Sequence, residues 1–317
     1  MLRSMTPSHD QLERIARLRE LFLDEDRGGK ALADYWRDEQ DLLAYDAVLG
    51  ARIGWKWDAA LAECKDRGMA RADAEVVLDF GCGSGIAARR FVAHFGAREV
   101  ICHDRSTAAM MFAVRTLQAA APGVVVQPQR KLDLVQPDVL LVSHVLGELD
   151  GNGEAQLRSL IERSQRVVLV EPGSHAISRR LSALRDTLLA KFHIVAPCPH
   201  ASACPALVQG NDWCHFFALP PQQVFTDSDW VRTARTVGID SRSLPYSFLA
   251  LSRTPLVAPP SPPPHRVLGR PDISAHGAKV QICAASGLTV RDVTKRHEAA
   301  TWRTLKKHPE SVRTLPS

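Results

Sequence analysis

Between residues 75 and 192 the chain alternates between short apolar runs and longer stretches of helical periodicity, and this alternation constrains the fold most. The apolar runs are rich in Val and Leu, and they occupy residues 75–80, 99–104, 124–129, 138–144 and 166–172. The helical stretches occupy residues 84–94, 108–121, 154–164 and 175–192. Apolar strands that alternate with helices are typical of βαβ units, whose parallel sheet is covered on both faces. The sequence therefore predicts an α/β fold with a Rossmann-like, doubly wound sheet.

The sequence divides into four predicted parts. We expect an N-terminal helical region at residues 1–72 and the Rossmann-like domain at residues 73–254, including a cysteine-rich insertion at 196–216. In that domain, strands are predicted at 215–219 and 246–252. The proline-rich stretch PLVAPPSPPPH (255–265) predicts a stiff extended linker. A C-terminal segment, 266–317, combines a β-like stretch with a basic helical tail at 295–308.

Composition excludes some classes of protein. The chain has 317 residues, of which 45% are hydrophobic and 24% charged, as in globular proteins. No apolar run approaches the length of a membrane-spanning helix, and the N-terminus lacks the apolar core of a secretory signal. Acidic residues near the N-terminus disfavour a mitochondrial transit peptide. We therefore expect a cytoplasmic protein without a membrane partner. Its net charge of +5 permits a nucleic-acid partner without requiring one.

A glycine loop follows the first predicted strand, in VVLDFGCGSGIAARRF (76–91). Gly81, Gly83 and Gly85 allow a tight turn and a close approach of backbone to a ligand, and Asp79 precedes them. The spacing G-x-G-x-G after an acid favours S-adenosylmethionine over a dinucleotide, because the carboxylate can take the methionine ammonium. Asp104 ends the second strand, where an acid suits the two hydroxyls of a ribose. A glycine turn without a ligand is the alternative.

The predicted acceptor region lies after the fourth strand, at residues 143–146. It contains neither the N-P-P-Y type of motif found in amino-methylating enzymes nor the Pro-Cys of cytosine-C5 enzymes. His144 is a candidate general base, and Glu148 is a candidate partner for an acceptor. A structural role in capping the next helix is an equally good interpretation for both.

Three of the seven cysteines, Cys198, Cys204 and Cys214, lie in one short stretch, and Cys283 follows much later. Clustered cysteines in a reducing compartment more often bind metal than form disulfides. The spacing C-x5-C-x9-C lacks a C-x2-C pair, so it is weak evidence for zinc. Four thiolates suit zinc or an iron–sulfur cubane, and unrelated thiols remain an alternative. Candidate substitute zinc ligands are His200 and His215.

Several stretches together resemble the Rsm22 family, which includes the mitochondrial methyltransferase-like protein 17. They are SHVLGEL (143–149), VEPGSHAISRRLSALRD (170–186), the cysteine stretch ending in DWCHFF, YSFLALSR and the later segment that holds Cys283. The resemblance covers about residues 40 to 295 and suggests a bacterial member. It implies a class I S-adenosylmethionine methyltransferase fold and a role in assembly of the small ribosomal subunit. It also implies a [4Fe–4S] cluster held by Cys198, Cys204, Cys214 and Cys283.

Basic residues predict an RNA-binding surface that contacts phosphates by charge, and a solvated charged face without a partner is the alternative. They are Arg179, Arg180, Arg185, Arg266, Arg270, Lys279, Lys295, Arg296, Arg303, Lys306, Lys307 and Arg313. Two functions follow as hypotheses: an S-adenosylmethionine-dependent methyltransferase of small-subunit rRNA, or a non-catalytic assembly factor that retains the fold and the cluster. A small-molecule methyltransferase with a zinc site is a third hypothesis.

Overall fold

The computed structural model describes residues 7–23, 34–72, 75–240, 242–256 and 263–316. Most of the predicted proline-rich linker lies outside these residues. The chain divides into two compact units. Unit 1 comprises residues 1–62, 70–169 and 219–244, and unit 2 comprises residues 63–69, 170–218 and 245–317. Among the described residues, no helix has the length and apolar character needed to cross a bilayer.

The helices and strands follow one another as an α/β chain with a β-rich end. The helices are α1 (His9–Leu23), α2 (Glu39–Tyr45), α3 (Ala51–Asp66), α4 (Ile86–Phe95), α5 (Thr107–Ala120), α6 (Gly151–Arg163), α7 (His175–Leu188), α8 (Gln223–Thr226), α9 (Ser228–Val237) and α10 (Ala299–Lys307). The strands are β1 (Val76–Phe80), β2 (Glu99–His103), β3 (Val125–Pro128), β4 (Val139–Ser143), β5 (Arg166–Pro172), β6 (His193–Ala196), β7 (Phe216–Phe217), β8 (Pro245–Ser252), β9 (His265–Ile273), β10 (Gly277–Ala284), β11 (Gly287–Thr294) and β12 (Thr314–Leu315).

Unit 1 is built on parallel strands in the order β3-β2-β1-β4-β5. Leu78 of β1 lies opposite Ile101 of β2 on one side and Leu140 of β4 on the other. This order is that of a Rossmann-like doubly wound sheet, so the predicted α/β class is confirmed. It brings the carboxyl ends of β1, β2 and β4 to one edge, where such folds bind ligands.

The described part of the N-terminal region of unit 1 is mainly helical. Ser8 caps α1, because its hydroxyl accepts the N–H of Gln11 at 3.2 Å and the Gln11 side chain accepts the N–H of Ser8 at 2.9 Å. Ile15 and Leu18 are fully buried on the apolar face of α1. A π-helical turn at Asp46–Gly50 joins α2 to α3.

Unit 2 contains two β structures. In the first, β8 pairs with the end of β5, and both β6 and β7 pair with β8 in the antiparallel sense. The second is an antiparallel sheet in the order β11-β10-β9-β12. One face of this second sheet forms a core with α10, in which Val280, Val293 and Leu305 are fully buried.

The parallel pairing predicted from the βαβ pattern is present between β1 and β2, β1 and β4, and β2 and β3. The later strands β6, β7 and β8, for which the sequence analysis gives no direction, pair antiparallel. The run 246–252 is apolar because β8 is buried along nearly its whole length, and burial on both faces carries no information about strand direction. The single β-like stretch predicted near Cys283 is three consecutive strands, β9, β10 and β11.

Candidate functional site

The glycine loop lies between β1 and α4 in unit 1, and each of its three glycines has a left-handed backbone. The φ angles are 71° at Gly81, 51° at Gly83 and 77° at Gly85. A Cβ at Gly81 would come within 2.5 Å of Val145, and one at Gly85 within 3.0 Å of the Ala113 backbone. Glycine is therefore required at these two positions for two reasons: the left-handed φ and the lack of space for a Cβ.

Gly83 differs from the other two glycines. A Cβ built there would meet no described atom within 4 Å. Its N–H donates to Asp104 Oδ2 at 2.9 Å, which fixes the loop against the end of β2. Gly83 is thus the position of the loop that faces open space.

Asp104 supports the loop with both oxygens of its carboxylate. Oδ2 accepts the N–H of Gly83, and Oδ1 accepts the N–H of Ser106 at 2.8 Å, close to the start of α5. Burial raises the pKa of Asp104, and these two hydrogen bonds oppose that rise because they stabilise the charged form. The structure thus places Asp104 beside the glycine loop.

Three buried polar atoms near this edge have no hydrogen-bond partner among the described residues: Asp79 Oδ1, Ser84 Oγ and His144 Nε2. Asp79 lies in β1, and His144 directly follows β4. These two strands are neighbours, with Phe80 opposite Val142. Buried polar atoms without a partner are uncommon and costly, so they indicate a place where a polar ligand completes the bonding. Sequence reasoning missed Ser84, although it lies inside the glycine motif.

Asp79 is fully buried, and burial raises its pKa to about 7. The N–H of Ala88 in α4 donates to its Oδ2 at 3.3 Å and partly opposes this rise, whereas the charge of Asp104 adds to it. A carboxylate in this state gains most from a cationic ligand, because the cation offsets the cost of burying its charge.

His144 follows β4 directly and has a left-handed backbone with φ 57°, which is uncommon for a residue other than glycine. Burial, and then the positive charge of Lys56, lower the pKa of His144 well below its usual range. The imidazole is therefore neutral near pH 7. The preceding Ser143 accepts a hydrogen bond from the indole N–H of the buried Trp57 at 2.8 Å.

Glu148 lies near the end of β2. Its carboxylate pairs with Arg105 at 3.3 Å, and the Arg105 guanidinium lies 5.4 Å from the ring centroid of Tyr35. Burial and the charge of Glu148 raise the pKa values of Tyr35 and Tyr45. The sequence analysis missed both tyrosines. They lie about a hundred residues before Glu148, and no local sequence pattern indicates that such distant residues are close in the fold.

The four predicted cysteine ligands all lie in unit 2 and influence one another electrostatically. Burial, and then the negative charges of Cys198, Cys204 and Cys283, raise the pKa of Cys214 well above its usual range. Burial and the charges of Cys198 and Cys204 likewise raise the pKa of Cys283 to about 12. Charge on Cys198 or Cys204 therefore disfavours charge on Cys214 and Cys283.

The thiols form no disulfide, and all seven cysteines are free. Within the described ranges, no three His, Cys, Asp or Glu side chains are grouped so that they could hold a metal ion. The imidazole Nε2 of His200 lies 3.5 Å from the sulfur of Cys283. The ring of His215 instead stacks on Trp213 at 4.7 Å between centroids.

The predicted basic surface is wrong for three arginines of unit 2. Arg185 is 2% exposed and Arg266 is 3% exposed; the latter pairs with Glu63 at 2.6 Å. Arg179 donates to four backbone carbonyls of the cysteine stretch, those of Ala206, Leu207, Gln209 and Asp212. These guanidiniums bind backbone carbonyls or a buried carboxylate. Counting basic residues in a sequence cannot distinguish such arginines from arginines that are exposed on the surface.

Other basic side chains of the C-terminal part are exposed, and they are Arg270, Lys279, Lys295, Arg296, Arg303, Lys306 and Lys307. Lys295 and Lys306 lie 5.0 and 5.1 Å from the ring centroid of Trp302. Arg313, in contrast, pairs with Asp66 at 2.9 Å. We call the seven exposed residues the C-terminal basic surface.

Some solved structures are similar to the chain at low identity. A proposed RNA methyltransferase of Pyrococcus horikoshii is 14% identical with a TM-score of 0.39, covering 75% of this chain and 98% of its own. A ribosomal protein L11 methylase of Lactobacillus delbrueckii subsp. bulgaricus is 17% identical with a TM-score of 0.36, covering 62% and 77%. A precorrin-6y C5,15-methyltransferase of Geobacter metallireducens is 11% identical with a TM-score of 0.37, covering 73% and 96%. TM-scores below 0.5 do not establish a shared fold, so the fold assignment rests on the strand order.

Comparison with protein families gives a clearer result. No curated protein sequence shows significant similarity to the chain. The family model described as mitochondrial small ribosomal subunit Rsm22 matches residues 55–308, which is well over half of the chain and includes the glycine loop and all four predicted cysteine ligands. The family predicted from the sequence is thus confirmed, and the chain belongs to the Rsm22 family.

Proposed function

We propose that the protein binds S-adenosylmethionine in unit 1, holds a [4Fe–4S] cluster in unit 2, and acts in the cytoplasm as a methyltransferase of small-subunit rRNA during ribosome assembly. The family model is named after the mitochondrial small ribosomal subunit, which supports a ribosomal partner. The observation that carries the cofactor part is the group of three buried, unpartnered polar atoms, Asp79 Oδ1, Ser84 Oγ and His144 Nε2.

Residues of the glycine loop edge fit S-adenosylmethionine by their chemistry. Asp79 would take the ammonium of the methionine part, Asp104 the ribose hydroxyls, and the open face of Gly83 would allow close contact with the backbone. The cofactor supplies an electrophilic methyl group on a sulfonium. The neutral imidazole of His144 can accept a proton from an acceptor nucleotide, since burial keeps it uncharged.

The family resemblance supports the metal group, and the cysteine residues are its usual ligand type, although within the described residues no three donor side chains are grouped so that they could hold a metal ion. Burial and the charges of the other thiols raise the pKa values of Cys214 and Cys283, so these two cannot ionise easily without a cation. A [4Fe–4S] cluster takes four thiolates and relieves this repulsion. Zinc with the same four ligands is the alternative occupant.

RNA would contact the C-terminal basic surface through phosphates. Lysine ammonium groups predominate there, and they interact as point charges without reading base sequence.

A non-catalytic assembly factor is the second candidate function. It is favoured by Glu148, one of the two predicted catalytic side chains, because this carboxylate pairs with Arg105 and lies close to Tyr35. Such a protein would keep the cofactor and the metal group for structural reasons.

The glycine loop gives a prediction that separates ligand binding from folding. Gly83→Ala should weaken S-adenosylmethionine binding at least tenfold, because the added methyl would occupy the space left for the ligand. The same substitution should cost only about 1 kcal/mol of stability through its left-handed φ. Gly85→Ala should destabilise the fold more, since its Cβ would meet Ala113 backbone at 3.0 Å. Calorimetric titration and thermal unfolding of both variants measure the two effects. Unchanged affinity of the folded Gly83→Ala protein would contradict this site.

Asp79 predicts a pH dependence of stability. Its pKa in the folded protein is about 7, above the usual value of 3.8, so the stability it contributes is complete below pH 4 and is lost as pH rises through 7. The loss is on the order of 4 kcal/mol at about 1.4 kcal/mol per pKa unit. In urea unfolding, Asp79→Asn should therefore gain stability over wild type between pH 5 and pH 8, and saturating S-adenosylmethionine should reduce this gain. Exposed Asp133→Asn is the control, and parallel pH curves for wild type and Asp79→Asn would refute the prediction.

Metal analysis tests the cysteine assignment. Protein purified without oxygen should be brown and contain about four irons and four sulfides per chain. Replacing any one of Cys198, Cys204, Cys214 or Cys283 with Ser should remove the cluster, whereas Cys102→Ser should keep it. A measured content of one zinc per chain without acid-labile sulfide would show that the metal is zinc and that the iron–sulfur cluster is wrong. Four freely alkylated thiols in folded, metal-free protein would refute both.

A deletion strain distinguishes the two candidate functions. If the protein is a methyltransferase, one methyl mark should disappear from small-subunit rRNA, and a map of rRNA modifications would detect its loss. A defect in the ribosomal subunit profile with every methyl mark intact would instead support the assembly factor.

A further inference from the structure

Four aromatic side chains of unit 1 that the proposed function does not use lie against one another. The ring centroids of Tyr35 and Trp36 are 4.7 Å apart, and those of Trp36 and Tyr45 are 5.2 Å apart. Phe22 completes the group, with its ring centroid 5.1 Å from that of Tyr35. All four residues are partly exposed. We call these four residues the aromatic cluster, and part of their surface is in reach of a ligand.

The backbone that carries the aromatic cluster is fixed by buried contacts. Asp41 of α2 is fully buried, and its Oδ1 accepts a hydrogen bond from the Arg14 side chain at 2.8 Å. Leu42 is buried against Ala109 of α5, and Trp36 packs against the same group. The rings therefore lie on an anchored segment, which lowers the entropy cost of stacking a ligand on them.

The aromatic cluster lies beside the edge that the proposed function assigns to the cofactor. The guanidinium of Arg105, which directly follows Asp104, is 5.4 Å from the ring centroid of Tyr35 and pairs with Glu148 at 3.3 Å. Burial, and then the charge of Glu148, raise the pKa values of Tyr35 and Tyr45, and the charge of Asp104 adds to both rises. Both phenols are therefore close to the loop that follows β4 and to the end of β2.

A second contact joins the aromatic cluster to the glycine loop. Asp46, the residue after Tyr45, pairs with Arg89 of α4, and the Nε of Arg89 donates to the carbonyl of Gly85 at 3.4 Å. The segment that carries the rings is thus bonded to the helix that begins at the glycine loop.

We propose that the aromatic cluster binds one unpaired nucleobase of the RNA and holds it next to the cofactor edge. The proposal rests on the RNA part of the proposed function and applies to both candidate functions. Aromatic side chains bind unpaired bases by stacking, because the faces of such bases are free. Glu148 can accept an N–H group of the base, since a carboxylate has room for further hydrogen bonds besides its pair with Arg105.

In a methyltransferase, the bound base would be the methyl acceptor. An enzyme that modifies a base must take it out of the base stack, and a stacking site on the protein offsets part of that cost. The C-terminal basic surface lacks this property, because contacts to phosphates do not depend on the bases.

The experiment separates stacking from phosphate contacts with two ligands of equal charge. One is a short single-stranded RNA, and the other is an abasic RNA of the same length, which keeps the phosphates and lacks the bases. Fluorescence anisotropy of the labelled RNAs gives both affinities for full-length wild type, Tyr35→Ala, Tyr35→Phe and Phe225→Ala. Phe225 is the matched control, because it is an aromatic residue of unit 1 that is 45% exposed and lies outside the aromatic cluster.

Wild type should bind the RNA with bases about tenfold more tightly than the abasic RNA, as expected for stacking on an aromatic side chain. Tyr35→Ala should lose most of this preference. Tyr35→Phe should keep it because the ring remains, and Phe225→Ala should keep it as well. Calorimetric titration should give the same S-adenosylmethionine affinity for wild type and Tyr35→Ala.

Photo-cross-linking locates the base without a substitution, and it decides the question if Tyr35→Ala does not fold. RNA that contains 4-thiouridine should form adducts with wild type at Tyr35, Trp36 or Tyr45. Adducts at other residues alone would overturn the proposal.

Three further results would contradict the inference while leaving RNA binding in place. They are equal affinity of wild type for the two RNAs, an unchanged preference in Tyr35→Ala, and an equal loss of preference in Phe225→Ala. A loss of S-adenosylmethionine affinity in Tyr35→Ala without a change in base preference would assign the ring to the cofactor and overturn the inference. Wild type that binds neither RNA would refute the RNA part of the proposed function and the inference with it.

Discussion

The N–H and C=O groups of irregular backbone inside a protein need hydrogen-bond partners. Both candidate sites contain irregular backbone whose groups are bonded in this way. In unit 1 the glycine loop bonds to β2: the N–H groups of Gly81 and Cys82 donate to the carbonyl of His103 at 2.8 and 2.9 Å, and Gly83 donates to Asp104. In unit 2 the cysteine stretch has little regular structure, and arginine side chains bind its carbonyls. The conformation of each site therefore depends on a few hydrogen bonds from neighbouring elements.

The same requirement identifies what the fold leaves incomplete. Asp79, Ser84 and His144 each bury a polar atom that no described residue satisfies. The thiols of unit 2 differ, because their raised pKa values keep Cys214 and Cys283 neutral, and a neutral buried thiol behaves as a small apolar group. An unsatisfied buried polar atom, in contrast, costs stability in the absence of a ligand. A polar or cationic ligand gains most at such a place, which is why the proposal puts the cofactor at the glycine loop.

How far the sequence predicts this protein depends on whether the signal is local. The apolar runs and the glycine loop are local signals, and they correctly predict β1, β2, β4, β5 and the left-handed turn. The proximity of Cys283 to the other three cysteines came from resemblance, since no spacing rule connects residues so far apart. Strand direction in β8, the pairing of Glu148 with Arg105 and the burial of Arg185 depend on tertiary contacts that leave no pattern in the sequence.

Three arginines of unit 2 are used inside the protein, whereas Arg296 and Arg303 are exposed, as several lysines are. The guanidinium has five donors and is weakly hydrated, which suits burial against carbonyls, carboxylates and sulfur, and Arg179, Arg185 and Arg266 are used in this way. The ammonium is strongly hydrated and stays in water, as it does at Lys279 and Lys307. The number of basic residues in the sequence is therefore larger than the number on the surface, because some guanidiniums are paired inside the protein. An RNA contact through the remaining surface would consist largely of lysine–phosphate interactions, which release counterions and weaken steeply as salt increases.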